Sequence, residues 1–82
     1  MMSSRQLYIY LKSLSKTETH QLISDLRMQG IPVKSIRPYA YPEMPEAFHI
    51  FFHLDDHEQE LDYFQLSPSH YLHILNLVES RT

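Results

Sequence analysis

Five of the six histidines and eight of the ten carboxylates lie between Arg37 and Arg81, a stretch with no lysine or arginine inside it. Imidazole and carboxylate are the side chains that hold divalent metals and move protons near neutral pH. His49, His53 and His57 stand at i, i+4, i+8, a spacing that converges on one metal ion only in a helix. Their segment instead alternates as a strand does, and on a strand residues four apart are separated by roughly 13 Å, too far to share a zinc ion with ligand bonds near 2 Å. His53-x-Asp55-x-His57, at strand spacing i, i+2, is the set able to close a site, with His70 or His73 as a further ligand. Solvent-facing polar residues at a strand end and in a loop explain the same positions more simply, so no metal or other cofactor is expected.

Proton chemistry has a weaker footing still. Ser69 and His70 are adjacent along the chain, which does not aim one side chain at the other, and no Gly-x-Ser-x-Gly elbow is present. Asp55-Asp56 and Glu58/Glu60 sit in a polar run with nothing beside them to raise one carboxyl pKa for acid catalysis. Gly30 is the only glycine, which excludes a glycine-rich phosphate cradle. With 82 residues there is little material for a deep pocket, and the chain reads as a non-enzyme. Protonating the five histidines of the acidic half would shift that half from −7 to −2, a change able to act on association but not in itself a switch.

The charges are segregated. Residues 1–42 carry a net +4 and residues 43–82 a net −7, summing to the formal −3. Such a distribution can steer a partner or a second copy of the chain. A hydrophobic share of 43% with 21% charged residues matches folded rather than disordered chains. One domain, residues 1–82, is expected at this length. The lack of cysteine removes disulfides, thiolate metal sites and a cysteine nucleophile, and makes the cytoplasm the default location. The apolar run near the amino terminus is broken by Lys12 and is too short for a secretory segment or a membrane span, so no membrane partner is expected.

The elements that would position these residues follow from periodicity. Leu7-Tyr8-Ile9-Tyr10-Leu11 alternates aliphatic and aromatic residues and predicts a strand with Tyr8 and Tyr10 on one face. Ser15-Lys16-Thr17-Glu18 has capping-box spacing, and Leu22, Ile23 and Leu26 recur at helical intervals up to Gly30, predicting a helix over about 16–29. Residues 33–41 read as a strand in which Pro38 argues for an edge or a bulge, and 41–45 as a turn. Phe48, Ile50, Phe52 and Leu54 alternate with His49, Phe51, His53 and Asp55, the strongest strand signal in the chain. Residues 55–60 are an acidic connection, 61–66 a short fourth strand or helical turn, and Ser67-Pro68 opens a last helix to about Glu79, with Tyr71, Ile74, Leu75 and Val78 buried.

The expected fold is therefore α+β, a two-layer sandwich ordered β-α-β-β-(β)-α, with two helices covering one face of a small antiparallel sheet of three or four strands. The other face would present Tyr8, Tyr10, His49, Phe51 and His53, an aromatic patch larger than a small monomer usually leaves in water. A protein interface explains that patch best, formed with a protein partner or within a homodimer. Asp55, Asp56, Glu58 and Glu60 would then supply an acidic rim. The alternative is single-stranded RNA stacked on Tyr8, Tyr10 and Phe51, with Arg5, Lys12, Lys34 and Arg37 alongside. Against it, the Gly-Phe/Tyr-Gly/Ala-Phe element of an RNA-recognition motif is missing, since Glu46-Ala47-Phe48-His49-Ile50-Phe51 places its aromatics differently, and net negative charge opposes phosphate.

Overall fold

Ser3, Ser15 and Ser67 each stand at the head of a helix. In the computed structural model, which describes residues 2–82, they open α1 (Ser4–Ser13), α2 (Lys16–Met28) and α3 (Pro68–Arg81). Strands β1 (Val33–Tyr41), β2 (Met44–Leu54) and β3 (Leu61–Asp62) lie between α2 and α3, with one 3-10 turn at Tyr63–Gln65. The architecture is α+β, with three helices and an antiparallel sheet in the order β1-β2-β3.

The first element corrects the sequence reading: residues 7–11 are helical, not a strand. Leu7, Ile9 and Leu11 fit a strand's alternation, but Leu7 and Leu11 also stand one helical turn apart. The Ser3 hydroxyl accepts the Gln6 N–H at 3.1 Å, and the Gln6 side-chain oxygen accepts the Ser3 N–H at 2.8 Å. That reciprocal cap satisfies two otherwise orphaned donors and starts a helix. Leu7 and Leu11 are buried while Ile9 is 55% exposed, as helical geometry requires. The element order is consequently α-α-β-β-β-α, with three helices where two were expected.

The second helix matches its prediction. Ser15 accepts from Glu18 N–H at 3.1 Å, Glu18 Oε1 accepts from Ser15 N–H at 3.0 Å, and Gly30 takes φ 89° just past the end. Only glycine adopts that backbone without a Cβ penalty. The hydrogen bond from the Ser15 backbone, then that from its hydroxyl, holds the Glu18 carboxyl below its ordinary value. This cap is therefore complete above the usual glutamate range and is lost as pH falls through the depressed value. Ser15→Ala should cost about 1 kcal/mol, read as a lower urea midpoint with unchanged slope.

Leu7, Leu11, Leu22, Leu26, Ile74, Leu75 and Val78 from the helices meet Ile36, Ile50, Phe52 and Leu54 from the sheet in one buried cluster. All three helices thus pack on the face of the sheet that carries the even-numbered residues of β2. Strand β1 reaches that face twice, through Val33 and Ile36, because Lys34 is an extra residue between the pairs Val33–Leu54 and Ser35–His53. Such a bulge strengthens local twist and interrupts pairing. Residues 61–66 resolve into both forms weighed from the sequence, a two-residue strand followed by the 3-10 turn. Arg27 ties the layers at the end of α2, donating to Val33 O at 2.9 Å and pairing with Asp55 at 2.9 Å.

Candidate functional site

The odd-numbered residues of β2 point away from the helices. His49, Phe51 and His53 are half-buried there, and register places Tyr39, Arg37 and Ser35 of β1 opposite them in turn. Five of the side chains on this face close a ring of contacts. The Arg37 guanidinium carbon lies 4.5 Å from the Phe51 ring centre. Phe51 stacks with His49 at 5.4 Å, and Tyr41 meets His49 edge-on at 5.4 Å. Tyr39 meets Tyr41 edge-on at 5.2 Å, and Arg37 lies 5.9 Å from the Tyr39 ring. Offset, edge-on and cation–π contacts of this kind add to simple area burial.

Asp62 anchors the ring from the neighbouring strand β3. It pairs with Phe51 in the sheet register, is only 5% exposed, and its Oδ2 meets His49 Nδ1. Its other oxygen accepts the Tyr63 N–H at 2.8 Å, which caps the 3-10 turn, while the Gln65 side-chain oxygen accepts the Asp62 N–H at 2.7 Å. A buried carboxylate is tolerated because its lone pairs are satisfied in this way. Arg37 Nε reaches over Phe51 to donate to Glu60 at 3.2 Å.

Three of the five residues expected on this face are there. Tyr8 and Tyr10 instead sit on α1 within the helical layer, half-buried against the core, and Tyr8 packs at 4.8 Å against Phe48 on the opposite side of the sheet from Phe51. Arg37, Tyr39 and Tyr41 complete the patch in their place. Their i, i+2, i+4 spacing opposite a strong strand was the available signal. Asp62 was missed because nothing along residues 61–66 marks which polar side chain will be buried.

The rim is less acidic in space than along the chain. Asp55 is paired with Arg27 and Glu60 with Arg37, and Arg81 from α3 pairs with Asp25 of α2. Asp56 accepts from His57 at 2.9 Å, and that hydrogen bond lowers its pKa from the ordinary value. Glu58 makes no ion pair among the described residues. His53 Nε2 lies 3.1 Å from the His57 carbonyl oxygen, and no three histidine, aspartate or glutamate side chains among the described residues come together to hold a metal.

Two concavities lie outside that face, lined by none of the ring residues. One, of about 500 Å³, lies between the starts of α1 and α3 and the 3-10 turn, walled by Met2, Tyr63, Phe64, Tyr71 and Leu75. Burial pushes the Tyr71 hydroxyl above its ordinary value. The other, of about 310 Å³, runs between the start of α2 and the β1 bulge, with Lys16, His20 and Lys34 around an apolar floor of Ile23 and Ile36. No helix among the described residues is long and apolar enough to cross a membrane. No protein-family model matches the chain, nor does any curated protein or solved structure.

Proposed function

We propose that this chain is a non-enzymatic protein-binding or regulatory module whose contact surface is the helix-free face of the sheet. The observation that carries the reading is the ring of Arg37, Phe51, His49, Tyr41 and Tyr39, with Tyr39 and Tyr41 both exposed. Tyrosine and arginine held rigidly on strands are the side chains that dominate protein interfaces, since they supply area and hydrogen bonds at low entropic cost. Exposed Asp56 and Glu58, in the connection between β2 and β3, act mainly on encounter rate and salt dependence.

A second reading, stacking of single-stranded RNA, draws on the same rings together with Arg37 and Lys34. Its difficulty is electrostatic: Arg37 already pairs with Glu60, and the 55–60 connection adds exposed Asp56 and Glu58. Isotope-labelled protein observed by NMR separates the two. Addition of the protein fraction of a cell extract should broaden the signals of residues 35–41 and 47–53. Tyr39→Ala should weaken that effect by at least about 1 kcal/mol, roughly fivefold. Broadening by a single-stranded oligonucleotide and not by protein would sink the proposal.

A further inference from the structure

We propose that the groove between the start of α2 and the β1 bulge binds a small phosphate monoester, its phosphate held by Lys16, Lys34 and His20 and its apolar body laid on Leu14, Ile23 and Ile36. The site is separate from the open sheet face and does not depend on how that face is read.

The fold leaves its lysines without partners. Arg27, Arg37 and Arg81 pair with carboxylates, whereas no lysine does so among the described residues. Two of the chain's three lysines line this single groove together with His20, and no acidic residue lines it. In a chain of formal net charge −3, a carboxylate-free concavity with basic side chains in both walls is a local concentration of positive potential, which draws anions.

Both lysines are placed against local preference. Lys16 is the first residue of α2, where the helix macrodipole favours an acid over a cation. One turn further on stands His20, not a glutamate that could pair with it. Glu18, the acid of that first turn, is occupied in accepting the Ser15 N–H. Lys34 is the extra residue of the bulge in β1, where regular pairing lapses between Val33 and Ser35. A bulge re-aims side chains that a regular strand would send elsewhere, and this one sets Lys34 in the wall facing α2. Cations held where local structure gains nothing from them mark a functional site.

The walls also select the ligand. Lysine ammoniums act as point charges, and the groove has no arginine fork to grip a planar carboxylate. A phosphate monoester carries about −1.5 to −2 charges near pH 7 and presents three acceptor oxygens, which suits two ammoniums and an imidazole N–H donor. Beside them Leu14, Ile23 and Ile36 form an apolar floor that inorganic phosphate would leave uncovered. The volume of about 310 Å³ lies at the small end of the roughly 300–1,000 Å³ of ligand sites, room for one ring or a short chain beyond the phosphate.

Titration of the isotope-labelled chain with phenyl phosphate, followed by NMR at constant ionic strength, tests the site. Amide signals of residues 16–23 and 34–36 should move saturably, half-complete at about 1 mM or below, while those of 37–41 and 47–53 stay still. Inorganic phosphate should bind at least about tenfold more weakly, and phenol should not bind at these concentrations. Lys16→Gln and Lys34→Gln replace exposed side chains and should leave circular dichroism unchanged, yet each should weaken phenyl phosphate at least about fivefold. Shifts that do not saturate, equal binding of inorganic phosphate, or indifference to both lysine variants would overturn the proposal. A single-stranded oligouridine that moves the same signals at lower concentration would overturn it too, assigning the groove to nucleic acid. The sheet-face reading is tested separately, by broadening with extract protein, so the two can fail independently.

Discussion

Phe52→Ala should remove about 3–5 kcal/mol of stability, the cost of deleting a fully buried ring and leaving a cavity that its neighbours fill only in part. Phe52 is wholly excluded from solvent near the end of β2, in the cluster shared by all three helices. Small domains hold about 0.05–0.15 kcal/mol per residue, so this loss is a large part of the total for 82 residues. Urea titration should show the midpoint collapse, with part of the variant unfolded in buffer. Ile9→Ala provides the contrast: on an exposed helical surface it should change stability by no more than about 0.5 kcal/mol. A strand at 7–11 with Ile9 facing the core would make the two substitutions comparable, and equal losses would contradict the helical assignment of α1.

His49→Leu should cost about 1–3 kcal/mol by leaving the buried Asp62 carboxylate without its imidazole partner. The Tyr63 N–H still donates to Asp62, which keeps the loss below that of an isolated buried charge. Asp62→Leu should cost a similar amount, because it removes the cap of the 3-10 turn as well as the contact with His49. The double variant His49→Leu/Asp62→Leu should be more stable than the sum of the two losses implies, since two apolar groups replace a pair that was half-desolvated. A strictly additive cycle, measured by chemical denaturation, would show that the two groups do not interact in solution.

Where several local signals agreed, the chain was readable. α2 combined a capping box, an apolar stripe and Gly30, α3 combined Ser67 with Pro68, and β2 combined alternation with β-branched and aromatic residues. Residues 7–11 span little more than one helical turn, and five residues are too few to separate a period of 2 from one of 3.6. What decided the matter lay outside the run, in Ser3 and Gln6. The same error displaced Tyr8 and Tyr10 from the sheet, so the candidate face was recovered through β2 alone and lacked its β1 half. Charge segregation along the chain was equally visible, but not that Arg27 and Arg37 would reach across to Asp55 and Glu60. Tertiary pairing of that kind has no short-range signature.

The free edge of β1 has a consequence for what the chain does at high concentration. Pro38 lies within that strand, opposite Ile50, and Lys34 bulges from it four residues earlier. An edge accepts proline where the missing N–H would have pointed outward, so a strand arriving from solvent finds a gap in the ladder, then a kink and a positive charge. Growth by adding strand to strand without limit, the route to fibrils, is blocked at this margin by the backbone itself. The molecule can expose tyrosines on its sheet while the β1 edge stays a poor template for amyloid.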